Sequence, residues 1–362
     1  MQRLWEKRAD EAQEALDDLF WNDSLGMYDI EFPVTAETDQ TIFHYWWMAH
    51  AVDVLVDGYL RTGSERYERR LAAIHGGIAR RNGGAWPNEL YDDMEWMALA
   101  WLRAYGATGE PSYRQAALEL WDDIQTGWNG HMGGGIAWRK SQTDYKNTPA
   151  NAPAAILAAR LHRAFGQAES LDWARRIYDW QRDRLVDPAT GFVWDGINRK
   201  GDGSIDKDWK FTYCQGVFIG AAVELYRIAG DGRYLRDALR TYEAAKRELA
   251  DPATGLLPDE GSGDGGLFKG IFVRYAAELA DVAPPGDADD VSALIAANAE
   301  TLWRSGKMPD AALFGTDWAS APGSPVPLSA QLSAAKLLEQ AARLAGRVRG
   351  ESAPSIFSTR GT

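Results

Sequence analysis

The segment "YDDMEWMALAW" (91–101) sets Asp92 and Asp93 side by side, with Glu95 just beyond, at the head of an almost unbroken apolar run. Paired carboxyl groups can break a glycosidic bond. A retaining glycosidase needs them about 5–5.5 Å apart, one as nucleophile and the other as acid and then base. Consecutive Cα atoms stand about 3.8 Å apart, so adjacent Asp side chains can reach that separation without a second element. Repulsion between such neighbours raises the pKa of one and keeps it protonated. A structural reading competes. Asp is a preferred helix N-cap, Asp92-x-x-Glu95 has capping-box spacing, and acidic groups suit the positive end of a helix dipole. One cap needs only one Asp, however, and this pair is flanked by Trp86, Asn88, Tyr91 and Trp96.

The elements that must position the pair are helical. Apolar residues recur with helix period and predict twelve helices: 3–20, 40–61, 65–80, 92–106, 112–127, 149–165, 170–185, 210–229, 232–249, 266–282, 288–305 and 327–346. The links alternate in length. The short ones include "RTGSERY" (61–67), "ATGEPSY" (107–113), "FGQAESL" (165–171) and "IAGDGRYL" (228–235). Three of them share Gly-x-x-x-Tyr, at Gly63/Tyr67, Gly109/Tyr113 and Gly230/Tyr234. Glycine suits a helix C-terminus, and the tyrosine can pack in the next first turn. The long links are 21–39, 81–91, 128–148, 186–209, 250–265 and 306–326, rich in Gly, Asp, Asn and Trp. "LVDPATGFVWD" (185–195) and "LADPATGLLPD" (249–259) are a degenerate repeat.

Hairpins joined in this way put every long loop on one face. Six of them close into a ring, so the expected fold is all-α, an (α/α)6 barrel. The more apolar even-numbered helices, such as "MALAWLRAY" (97–105) and "VFIGAAVELY" (217–226), would form the inner layer. Residues 1–346 are expected to make one domain, with 347–362 a flexible tail. Loops of this length are usually functional, and Asp92 and Asp93 fall at the centre of the loop face.

Composition narrows the ligand. Net charge is −13 over 362 residues, which disfavours nucleic acid and anionic membrane. The one cysteine, Cys214, excludes an intrachain disulfide and thiolate-built zinc sites. No apolar run reaches the roughly 18 residues of a membrane span. The charged, amphipathic N-terminus is unlike a secretory signal. A cytoplasmic chain is expected, or a secreted one if a signal has been removed. Sixteen tryptophans suit either core packing or a polysaccharide cleft, because an aromatic face packs on the C–H face of a sugar.

"YDDMEWMALAW" resembles the catalytic segment of glycoside hydrolase family 76, the endo-α-1,6-mannanases. "KNTPANAPAAILAARL" (146–161), "FTYCQGVFIGAAVELY" (211–226) and "LFKGIFVRY" (267–275) are similar to further motifs of that family, in order. The resemblance spans roughly residues 10 to 345. It implies an (α/α)6 barrel, a retaining mechanism through a covalent mannosyl-enzyme, Asp92 as nucleophile, Asp93 as general acid/base, and α-1,6-mannan or manno-oligosaccharide as substrate. Where the family pattern has Asn, this chain has Cys214. Family members are generally exported.

Further substrate-binding candidates are Asn88 and Tyr91 beside the pair, and Trp128 and Trp138 around the glycine run of "NGHMGGGIAW". That run permits a tight hairpin with backbone brought close to a ligand. Tyr213 and Gln215 at a helix start, Asn151 as sugar ligand or N-cap, and Lys269 as sugar ligand or solvated lysine complete the set. Trp46, Trp47 and Trp101 are expected in the core. "GDGSIDKDWK" (201–210) lacks the spacing and closing Glu of an EF-hand and reads as a loop. No metal and no cofactor is expected, and a monomer is. The five histidines all precede residue 163, which argues against a histidine acid/base pair drawn from later helices. Two alternatives stay open: a mannan transglycosylase, and a glycan-binding protein on the same scaffold.

Overall fold

Four helices end on a left-handed glycine: Gly63, Gly109, Gly166 and Gly230, with φ between 65° and 79°. Each glycine N–H reaches back to a carbonyl of the last turn, on Tyr59, Tyr105, His162 and Tyr226. Only glycine takes this conformation without a Cβ penalty, so each link closes within two residues and the next helix folds back. The tyrosines of the Gly-x-x-x-Tyr pattern then fall inward. Tyr67 fills the space that a Cβ on Gly58 would occupy, Tyr113 stacks on Trp101 at 4.9 Å, and Tyr234 meets Tyr178 edge-on at 5.2 Å.

The computed structural model describes residues 2–347. Its helices are α1 (Gln2–Ala15), α2 (Tyr45–Thr62), α3 (Glu65–Arg81), α4 (Tyr91–Thr108), α5 (Pro111–Ile124), α6 (Ala152–Phe165), α7 (Ala168–Leu185), α8 (Thr212–Ala229), α9 (Gly232–Leu249), α10 (Gly265–Ala280), α11 (Pro285–Thr301) and α12 (Leu328–Arg347). The expected flexible tail lies, but for its first residue, outside the described residues. Seven short strands sit in the long links: β1 (Trp21–Asn22), β2 (Met27–Tyr28), β3 (Glu31–Phe32), β4 (Ala137–Arg139), β5 (Gln142–Asn147), β6 (Gly196–Ile197) and β7 (Val326–Pro327). β1 pairs with β2, β3 with β7, and β4–β5–β6 form an antiparallel sheet.

Burial separates the helices as their patterns predict. α4, α6 and α8 are buried on nearly every side, whereas α5, α7 and α9 bury one stripe. Trp47 and Trp101 lie in the core and Trp46 is half-buried. Some boundaries differ from expectation. α2 starts at Tyr45, not 40, because the Asp39 carboxylate takes the N–H and hydroxyl of Thr41 in a local turn. α1 ends at Ala15 and widens into a π-turn over Leu16–Phe20. Among the described residues no helix is long and apolar enough to cross a membrane.

The chain divides into two compact units. One takes the described residues before Trp86, Ala250–Ala277 and the described residues after Asp289. The other takes Trp86–Leu249 with Glu278–Asp289. α4 to α9 and the three-stranded sheet belong to the second unit.

Candidate active site

Asp92 and Asp93 open α4, whose N-cap position is Leu90, not an aspartate. The capping box does not form. Asp92 Oδ1 accepts the neighbouring Asp93 N–H at 3.0 Å, and its Oδ2 accepts the indole N–H of Trp138 at 3.1 Å. Asp93 Oδ2 accepts from the Asn88 amide at 3.3 Å, while Asn88 Oδ1 takes the Leu90 N–H at 2.9 Å. Asn88 thus ties the chain entering α4 to the second carboxylate. Donors to Asp92 stabilise its ionised form, as does the head of a helix.

Trp138 comes from β4. On the same face of the sheet it meets Tyr145 of β5 edge-on at 5.9 Å. The Tyr145 hydroxyl donates to Asp195 at 3.2 Å, and so does that of Tyr213, from the first turn of α8, at 3.2 Å. The Cys214 thiol is a third, weaker donor to Asp195, 3.6 Å away. Burial pushes the Asp195 carboxyl up to about 6, although these three donors act against it. Burial also raises the Tyr213 hydroxyl, and Asp195, Cys214 and then Asp92 add to the effect. Trp138 and Tyr145 thus link Asp92 to Asp195 through contacts of the sheet, and Tyr213 joins them at Asp195.

Glu95 lies beneath the pair. It sits three residues beyond Asp92 on α4, so the two side chains share a helix face. It is fully buried, and neither oxygen has a hydrogen-bond partner among the described residues. Burial first, and the Asp92 charge second, push it well above the usual carboxylate range, against a smaller pull from the Ala154 N–H in the first turn of α6. Burial and the Asp92 charge both favour its protonated form over the carboxylate. On the opposite face of the sheet, register places Lys146 with Ala137 and Ile197. Its ammonium has no partner among the described residues, and burial lowers it to about 8.

The other candidates fall into distinct places. Tyr91 turns toward the end of α5, its hydroxyl 3.2 Å from Thr126 and its ring against Gly127. Trp128 lies under the Arg176 guanidinium at 4.2 Å and packs on the Trp180, Leu185 and Ile197 cluster. The glycine run brings backbone against that cluster, and a Cβ on Gly135 would stand 2.7 Å from the Trp180 ring. The Asn151 amide donates to the carbonyls of Ile136 and Asn147 at 3.0 and 2.8 Å and accepts the Ile136 N–H at 2.8 Å. Gln215 clasps Val193 in the same way, at 2.7 and 2.8 Å. Both amides staple long links to helix starts. Lys269 belongs to the other unit. It is buried, donates to the carbonyls of Pro258 and Thr316, and lies 4.3 Å from the Trp318 ring centre. Burial lowers it to about 8.

Sequence reasoning passed over Asp195, Tyr145 and Glu95. Asp195 was in view as the last residue of the "LVDPATGFVWD" repeat, and Glu95 as a supposed half of the capping box. Nothing in the local sequence marked Tyr145.

A family model described as glycosyl hydrolase family 76 matches residues 4–348. A solved α-1,6-mannanase from Salegentibacter sp. is 40% identical, with TM-score 0.89 over 94% of this chain and 99% of that one. A Listeria innocua protein of solved structure is also 40% identical, with TM-score 0.89 over 95% and 98% of the two chains. Together with the twelve helices, this likeness shows the all-α, (α/α)6 class that the sequence predicts. A Candida glabrata mannan endo-1,6-alpha-mannosidase is 24% identical over 264 residues, 67% of this chain. The chain spans 59% of the length of that curated relative and of its Saccharomyces cerevisiae counterpart.

Proposed function

The chain belongs to glycosyl hydrolase family 76, and from that premise we propose that it is a retaining glycoside hydrolase acting on α-1,6-linked mannan or manno-oligosaccharides. The Salegentibacter α-1,6-mannanase supports the substrate class. Its variants with two consecutive aspartates replaced are described as inactive, and they bind α-1,6-mannotetrose or α-1,6-mannotriose. The observation that carries the reading is the different setting of two neighbouring aspartates. Asp92 is held by an indole N–H and a backbone N–H at a helix head, which suits an ionised nucleophile. Asp93 is oriented by an amide, which serves a group that must gain and lose a proton.

In this mechanism Asp92 attacks the anomeric carbon while Asp93 gives its proton to the departing O6. Asp93 then takes a proton from water, and that water releases mannose from the Asp92 ester. Asn88 and Trp138 keep the two carboxylates in register. Burial and the Asp92 charge both oppose ionisation of Glu95, which disfavours a third charge beside them.

The test is hydrolysis of linear α-1,6-mannan followed by proton NMR. The first-formed product should carry the α configuration. Early β product would replace retention by inversion, and no cleavage would remove the function. Asp92→Asn should lower kcat by about four orders of magnitude or more without loss of fold. Full activity in that variant would remove Asp92 from the mechanism.

A further inference from the structure

The loop "NRKGDGSIDKDWKF" (198–211) ties two of its acidic groups, Asp202 and Asp206, into its own frame. Asp202 holds the N–H and hydroxyl of Ser204 at 2.9 and 2.6 Å. Asn198, at φ 71°, takes the Gly203 N–H at 2.8 Å and donates to the Asp144 carbonyl at 3.1 Å. Asp206 is buried; its N–H reaches Gly196 O at 2.9 Å and its carboxylate grips Arg199 at 3.0 and 2.9 Å. The loop is therefore fastened to the sheet that carries Trp138 and Tyr145.

What this frame presents outward is Trp209. It is 41% exposed and the one aromatic among the exposed large hydrophobic side chains of the described residues. A single exposed apolar side chain is ordinary, but this one is held. The Arg199 guanidinium, itself fixed by Asp206, lies 4.1 Å from the ring centre and backs one face. From the ring an aromatic path leads inward. Phe211 is 6.1 Å from Trp209, Tyr213 is 5.9 Å from Phe211, and the Tyr213 hydroxyl is on Asp195. Asp195 also takes the Tyr145 hydroxyl, and Tyr145 meets Trp138, whose indole N–H is on Asp92. A rigid, half-open indole at the outer end of a path that begins at the carboxylates suits a neutral glycan. Its charge-free C–H faces find no ion partner, and its flexible 1,6-links gain from a distant anchor.

Resting on the function proposed above, we infer that Trp209 is the platform of a distal subsite, stacking on the C–H face of a hexose in the chain more than one residue from the bond cleaved. Trp209→Ala and Trp209→Phe should be assayed on α-1,6-manno-oligosaccharides of rising length and on linear mannan. In the wild type kcat/KM should climb with length. In Trp209→Ala the climb from the shortest cleaved substrate to the longest should shrink about tenfold, with Trp209→Phe between the two. In an Asp92→Asn background, affinity for long chains should fall by a similar factor on removal of the indole. A Trp209→Ala enzyme with the wild-type dependence on length overturns this subsite alone. So does a variant impaired equally at every length with a lowered melting temperature, since Trp209 then only supports the loop. A wild type that cuts no α-1,6-linked substrate overturns the function and the subsite together.

Discussion

Two ends of the same helices treat buried carboxyl groups in opposite ways. Toward the C-terminal ends of α6 and α8, Glu224 is fully buried yet ringed by cations. Arg160 holds it at 2.9 Å and Arg163 at 2.6 Å, while Arg160 also grips Glu278 at 2.8 and 2.9 Å. Burial pushes Glu224 up, but Arg160, Arg227 and Arg163 outweigh it and bring it down. At the other end, Asp195 and Glu95 are equally hidden; Asp195 takes three neutral donors, Glu95 feels the like charge of Asp92, and both are raised. Burial alone therefore does not set a carboxyl group's state; the charge of its neighbours decides. The paired end holds helices together. The unpaired end favours the protonated forms of its acids.

The strongest way to break this contrast is to remove charge from the paired end. Glu224→Gln leaves three arginines around a neutral amide, and breaking a buried pair typically costs about 3–5 kcal/mol. Denaturant unfolding should show a loss of that order. Mannan hydrolysis per folded molecule should stay at the wild-type level, because Glu224 lies away from Asp92. A Glu224→Gln protein of wild-type stability would mean that the network is ornamental and that the two ends do not differ in purpose.

The pH dependence of stability sharpens the contrast, since the two ends carry opposite signs. Glu224 is lowered, so its contribution is present above the unfolded Glu pKa of about 4.3 and fades as pH falls through the folded value. Asp195 and Glu95 are raised, so their contribution is complete below the unfolded values of about 4 and fades as pH rises. For Asp195 the window closes at about 6. Its displacement corresponds to at most about 3 kcal/mol. Melting temperature measured from acid to neutral pH should fall less on the alkaline side in Asp195→Asn and Glu95→Gln, and less on the acid side in Glu224→Gln. If all three variants keep the wild-type curve shape, the states assigned to these groups are wrong.

A smaller effect is expected at Trp138. Trp138→Phe keeps a ring beside Tyr145 and deletes the N–H on Asp92. Hydrogen bonds to charged groups contribute about 1.5–3 kcal/mol, so kcat should drop by roughly ten- to a hundredfold with KM little changed. A rise in KM at constant kcat would make Trp138 a sugar platform and not an orienter of Asp92.

How much of this could be read in the sequence depends on how local each signal is. The helix count and the short links were legible because periodicity and glycine C-caps act within a few residues. The carboxylate pair was legible because it is contiguous. Asn151 and Gln215 show where this stops. A helix-start amide looks the same whether it meets a sugar or a backbone, and their partners, Ile136 and Val193, come from loops 15 and 22 residues away. The repeat makes the same point. Asp195 and Asp259 end matching segments, yet Asp195 is buried among hydroxyls whereas Asp259 is exposed and holds the Gly261 N–H. Local pattern alone could not separate them, because burial is decided by what the rest of the chain brings.

The smallest expected effect lies at Cys214, beside Tyr213 in the first turn of α8. Its thiol is buried and donates to Asp195 at 3.6 Å, alongside two hydroxyls. A thiol is a weak donor, and Tyr145 and Tyr213 remain when it is removed. Cys214→Ala should therefore cost no more than about 1 kcal/mol and move the Asp195 titration slightly upward, since one of three opposing donors is lost. Cys214→Ser substitutes a stronger donor and should move it downward. Carbonyl NMR of Asp195 across pH 4–8 separates these directions. An upward shift in both variants would mean that the thiol acts by filling space, and that the unpaired end of the unit depends on packing around Asp195 more than on what donates to it.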